Sequence, residues 1–108
     1  MKWEITYFNQ AVFSTLEGMP KKIKARYIVL TDRMEVFGAN LGFPHTKSIG
    51  AGLFELRIKA EEGIARVFYC TCVNNEIVML HSFIKKTQVI PKKELAIARK
   101  RLAEVLKK

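Results

Sequence analysis

The sequence predicts an α+β fold: an N-terminal strand and a helix hairpin, then an antiparallel sheet of about four strands, then a C-terminal helix. Three observations carry this. Apolar residues alternate at the start of the chain and around Phe54–Ile58, they recur at spacings of three and four between Val12 and Phe37 and again after Pro91, and Gly or Asn residues punctuate the junctions. The 108 residues match the size of one domain, 1–108, and no repeat or low-complexity stretch divides them.

Trp3, Ile5 and Tyr7 alternate with Glu4 and Thr6, the period of a first strand. Asn9 suits the N-cap of a short helix carrying Val12, Phe13 and Leu16, because its side-chain oxygen accepts an otherwise unpaired amide; Gly18 ends that helix. Pro20 suits the first turn of a second helix. There Ile23, Tyr27, Leu30, Met34 and Phe37 form one apolar face, Lys21, Lys22, Lys24 and Arg26 project from the other side, and Gly38 stops the helix. From Gly38 to Gly52, four glycines and Pro44 surround His45, Thr46, Lys47 and Ser48, which reads as a long loop. Loops of that length in small domains often carry function. Neither a GxGxxG nor a Walker pattern occurs, so nucleotide binding is not indicated.

Three strands follow at 53–59, 64–72 and 76–84, joined by Glu61-Glu62-Gly63 and Asn74-Asn75, and successive hairpins imply antiparallel pairing. The last of these is nearly all apolar, so it is expected in the middle of the sheet with both faces covered. Pro91 opens the final helix, whose apolar face holds Leu95, Ala98, Leu102 and Val105/Leu106, with Lys107 and Lys108 at its C-terminus.

The charge narrows the function. Nineteen Lys and Arg stand against ten Asp and Glu, a formal +9. An enzyme for small neutral substrates has no need of such a field, whereas a phosphate backbone releases a counterion for each phosphate neutralised. RNA is the polyanion that fits best; an acidic protein partner also fits. No apolar signal segment and no run long enough to span a bilayer occurs, so no membrane role is expected and the setting is the reducing cytoplasm. Cys70 and Cys72, two apart on a strand, point the same way, a poor disulfide geometry and too few ligands for zinc. The sequence calls for no metal and no cofactor.

The candidate site lies on the sheet. Arg57 sits mid-strand among apolar residues, Arg66 is the one charge in its strand, and Lys85 and Lys86 follow directly on the last strand. Neighbouring hairpins can bring Arg57, Arg66 and Lys85 together as a cationic groove; salt bridges from either arginine to Glu55 or Glu76 are the alternative. His45 in the glycine-rich segment is of the residue type most often used for proton transfer, or is simply solvated. His81, between Leu80 and Ser82 on the last strand, fits a packed histidine. Tyr69 or Phe68 can stack on a base or pack in the core.

The order of these parts resembles the RelE-like toxins of bacterial toxin–antitoxin pairs, within the RelE/ParE superfamily, and the HigB-like, phage-related branch in particular. The resemblance rests on Leu53-Phe54-Glu55-Leu56-Arg57, on Arg66-Val67-Phe68-Tyr69, on the run from Ile77 to Gln88 and on Pro91 to Ala98. It covers Leu53 to about Leu102, while the N-terminal third matches only in its order of elements. It implies the RelE-like fold and a type II toxin: a metal-independent, ribosome-dependent endoribonuclease (an mRNA interferase) that cuts mRNA and inhibits translation. Its implied partners are a cognate antitoxin, in a toxin–antitoxin hetero-oligomer, and the ribosome with its mRNA.

The positions that match the family's basic active face are Arg57, Arg66 and the Lys85-Lys86 pair; with His45 these are the catalytic candidates, and Lys47, Lys59, Tyr69 and Thr87 are the substrate-binding candidates. The best-known members place an aromatic or histidine near the chain end for proton transfer. Arg99 to Lys108 holds only aliphatic and charged residues, which leaves His45, Lys85 or Lys86 for that task. Two other readings stand beside this one: a ParE-type toxin that binds DNA gyrase without cleaving RNA, and a simple nucleic-acid-binding domain.

Overall fold

The computed structural model describes residues 2–85 and 89–107. The elements are β1 (Glu4–Tyr7), α1 (Gln10–Glu17), α2 (Lys21–Phe37), β2 (Thr46–Gly50), β3 (Leu53–Ala60), β4 (Gly63–Cys72), β5 (Glu76–Lys85) and α3 (Lys92–Leu106). The α+β class and the order of helices and meander are those the sequence predicts. The sheet, however, has five strands, in the order β1-β5-β4-β3-β2.

The extra strand is β2, inside the segment that reads as a loop. It pairs antiparallel with β3, Thr46 opposite Leu56 and Ser48 opposite Phe54. Its residues lack apolar alternation because it is an edge strand, and the glycines around it serve a tight turn: Gly50, Ala51 and Gly52 all have positive φ. The second departure is β1, which pairs parallel with β5, Glu4 opposite Glu76 and Tyr7 opposite Met79. Between these strands lie the helix hairpin and β2 to β4, a connection long enough for parallel pairing. With β1 outside it, β5 is next to the edge and β4 takes the centre.

Local chemistry sets the helix ends. Asn9 caps α1, its Oδ1 accepting from the Val12 amide at 2.9 Å. The cap of α2 comes from far along the chain. Glu62 Oε1, in the β3–β4 turn, accepts from the amides of Lys22 at 3.0 Å and Ile23 at 3.1 Å. Ile23, Tyr27, Leu30 and Met34 are buried as expected, but Phe37 is 77% exposed and Thr31 is buried instead. Leu106 is likewise exposed at the end of α3. No helix among the described residues is long and apolar enough to cross a membrane.

Each sheet face has its own core. One, against α1 and α2, joins Leu16, Ile23, Leu30 and Met34 to Leu56, Ile58, Val67, Tyr69 and Met79. The other, against α3, joins Ala98 and Leu102 to Leu53, Phe68, Cys70, Val78, Leu80 and Phe83. Cys70 and Cys72 are free thiols, and burial, followed by the neighbouring Cys72, pushes Cys70 up to about 12. Polar contacts pin α3 to this face: Arg101 Nη1 donates to Leu80 O at 2.7 Å and Arg99 Nη1 to Gly50 O at 3.0 Å. A β-bulge interrupts the β4–β5 register, with Phe68 opposite His81 but Tyr69 opposite Met79. Leu80 is the extra residue, so Leu80 and His81 fall on the same face and the alternation of β5 is reversed beyond it.

Candidate active site

On the face that carries α3, apolar residues give way to charge toward one end of the sheet. Three cross-strand rows make the transition. Lys47, Glu55, Phe68 and His81 form the first, Arg57, Arg66 and Phe83 the second, and Lys59, Ile64 and Lys85 the third. Lys85 joins this face because of the bulge; without it, Phe83 and Lys85 would point to the other side.

Arg57 and Arg66 stand side by side, but among the described residues only Arg66 is paired. Its Nη1 donates to Glu55 Oε2 at 2.6 Å, with both side chains nearly buried. Glu55 is therefore a structural partner of the site and was foreseen only as one salt-bridge option. The other option, Glu76, instead accepts from Thr6 Oγ1 at 2.9 Å. The Arg57 guanidinium makes no hydrogen bond or ion pair among the described residues, and the Nε atoms of both arginines are buried without a partner. Lys85 feels both arginines: desolvation first, then Arg66 and Arg57, lower its pKa, against a smaller opposing pull from Glu55.

His45 reaches the same place from the chain before β2. Its carbonyl accepts from the Arg57 amide at 2.8 Å, which extends the β2–β3 pairing by one bond. His45, Pro44 and Arg57 line two adjoining cavities. The smaller, about 90 Å³, also touches Phe43, Thr46, Lys47, Glu55 and Arg66. The larger, about 410 Å³, extends to Lys59 and to Arg26 of α2. Sequence periodicity places Arg26 on the solvent side of its helix; only the packing of α2 against β3 brings it here.

The remaining candidates separate. Tyr69 is on the opposite face and fully buried, its hydroxyl donating to Ala39 O at 2.7 Å and its ring stacked on Phe54. Burial raises its pKa. A base cannot reach it, so Tyr69 is a core residue and not a substrate-binding one. Phe68 is buried too, against Phe83. His81 pairs with Glu94 at 3.0 Å and belongs to the α3 contact. Lys86 and Thr87 lie outside the described residues. Among the described residues no group of three or more His, Cys, Asp or Glu side chains is placed to hold a metal.

The family model described as phage derived protein, Gp49-like, matches residues 14–103. The chain belongs to the Gp49-like family. Among curated proteins no sequence matches the Gp49-like chain. Solved structures do. The archaeal RelE–RelB complex from Pyrococcus horikoshii OT3 contains a chain similar to it with a TM-score of 0.58 at 18% identity, covering 78% of this chain and 96% of that one. The YoeB–YefM complex from Staphylococcus aureus contains another, with a TM-score of 0.58 at 18% identity, covering 80% of this chain and 100% of that one. At such identity the likeness establishes the fold, and the Gp49-like chain has the RelE-like fold that its sequence resembles.

Proposed function

We propose that this chain is the toxin of a type II toxin–antitoxin pair, of the HigB-like branch, and acts as a metal-independent endoribonuclease on mRNA held by the ribosome. The observation that carries the reading is the cationic end of the sheet, where Arg57, Arg66, Lys59 and Lys85 share one face and Arg66 is anchored there by the buried carboxylate of Glu55. Family membership and a fold shared with chains found in two-protein complexes support the toxin role and an antitoxin partner. A basic chain with no long apolar helix among its described residues suits a cytoplasmic toxin that meets mRNA there.

The chemistry needs an in-line attack of the RNA 2′-oxygen on the adjacent phosphorus. The 2′-O–P bond forms as the P–O5′ bond breaks, leaving a 2′,3′-cyclic phosphate and a 5′-hydroxyl. Arg57 and Arg66 stabilise the charge that builds on the phosphate oxygens, a contribution typically worth about 10²–10³ in rate per donor. Lys85, its pKa lowered by desolvation and two arginines, takes the 2′-hydroxyl proton in its neutral form. His45, beside Arg57, gives a proton to the departing 5′-oxygen. Lys47 lines the smaller cavity and contacts the backbone.

Primer extension on an actively translated mRNA tests this. New 5′ ends are expected only when chain and ribosome are both present, together with growth arrest that co-expression of the neighbouring antitoxin relieves. Intact message and normal growth with folded protein in the cell would overturn the reading.

A further inference from the structure

The larger cavity holds more cation than the proposed cleavage step uses. Its lining is Arg26, Pro44, His45, Arg57 and Lys59, with no carboxylate among them. Arg26 is half-buried and, like Arg57, makes no hydrogen bond or ion pair among the described residues. Like charges gathered without a counter-charge oppose folding. The placement is nonetheless built in. Glu62 ties the first amides of α2 to the end of β3, and Lys22 Nζ pairs with Glu61 of the same turn. Arg26, one helical turn beyond Lys22, thereby lines the same cavity as Lys59. The cavity is also of the size that takes small organic ligands, roughly 300 Å³ upward, whereas the adjoining one suits a phosphate group.

We propose that the cavity between α2 and β3 is a nucleotide subsite for single-stranded RNA, with Arg26 and Lys59 pairing the phosphate next to the one that is cleaved. The shared wall of Pro44, His45 and Arg57 joins it to the smaller cavity, so a strand leaving Arg66 and Arg57 passes directly to Arg26. Arg26 acts as a positioning residue: it holds the strand in register while the bond breaks elsewhere. This subsite rests on the ribonuclease reading given above.

The test measures binding of 2′-O-methyl oligoribonucleotides to the full chain, because the blocked 2′-oxygen separates binding from cleavage. Affinity is followed across a salt series, with a dinucleotide carrying one phosphate and a trinucleotide carrying two. The wild-type chain is expected to gain affinity from the second phosphate. Arg26→Ala should abolish that gain and reduce the slope of log Kobs against log[salt] by about 0.7, the value for one phosphate contact on a single strand. Lys59→Ala should act in the same direction, and Arg26→Lys should restore the slope; unchanged thermal midpoints confirm folding.

If Arg26→Ala and Lys59→Ala keep the full slope and the trinucleotide gain while Arg57→Ala loses affinity, the subsite is wrong and the ribonuclease reading survives. If the wild-type chain shows no salt-dependent affinity for either oligonucleotide, the subsite falls, while the ribonuclease reading stands or falls on primer extension with the ribosome present.

Discussion

Arg57 and Arg66 are direct cross-strand partners on β3 and β4, and of the two only Arg66 reaches a carboxylate among the described residues. Like charges in that relation destabilise a sheet by about 0.2–1 kcal/mol. A site that awaits a phosphate accepts such a cost. Arg57→Ala is therefore expected to leave stability unchanged or raise it by about 0.2–1 kcal/mol, while mRNA cleavage falls by about 10²–10³. Urea unfolding beside primer extension checks both halves; a variant that unfolds easily, or cuts at the wild-type rate, would remove Arg57 from the site.

Arg66 has two tasks, and its simple truncation confuses them. Arg66→Ala strands the Glu55 carboxylate in the protein and should cost about 3–5 kcal/mol of stability. The double variant Glu55→Leu/Arg66→Met removes both charges and should recover most of that loss, since apolar replacements of a buried pair are often neutral or stabilising. Cleavage should stay low in both. A double variant that folds and still cuts mRNA would show that Arg66 serves only the salt bridge.

Lys85 gives the reaction a pH signature. Its pKa lies below the ordinary 10.5 because desolvation, Arg66 and Arg57 all disfavour the charged form. As the general base it works when neutral, so the rate should rise with pH and level off before the ordinary lysine value. Arg57→Ala removes one of the neighbouring cations and should move that limb to higher pH. Lys85→Arg should flatten it. The sign for stability is the same: the charged form is penalised in the fold, so the penalty is fully present below the folded pKa. It fades as pH climbs to the unfolded value. A rate that ignores pH on the alkaline side would assign the base elsewhere.

Tyr69 separates core from site. Tyr69→Phe removes the bond to Ala39 O at 2.7 Å and leaves a buried carbonyl without its donor. The expected cost is about 1–3 kcal/mol of stability. Cleavage by the fraction still folded should be unchanged. Loss of activity without loss of stability would return Tyr69 to the substrate-binding set.

The sequence by itself determined what depends on near neighbours in the chain. Alternation around Phe54–Ile58, the Asn74-Asn75 turn, the Asn9 cap and the Ile23–Met34 stripe each express a local period or a local hydrogen bond. The basic charge and the ordered segments from Leu53 to Leu102 were equally open to reading, and they led to the RelE-like fold. Tertiary structure decided which side chains meet. Thr46 to Gly50 is a strand only because the edge of β3 pairs with it, and β1 is parallel only because β5 lies beside it. Arg26 enters the cavity through the docking of α2, and Tyr69 leaves the candidate set through the face it occupies. The bulge at Leu80 matters most. A strand alternates with a period of two, so one extra residue sends everything after it to the other face. Residue spacing along β5 aligns Lys85 with Ile77 and Met79, on the side of the helix hairpin. The register between two strands, which no single segment carries, turns it toward Arg57 and Arg66.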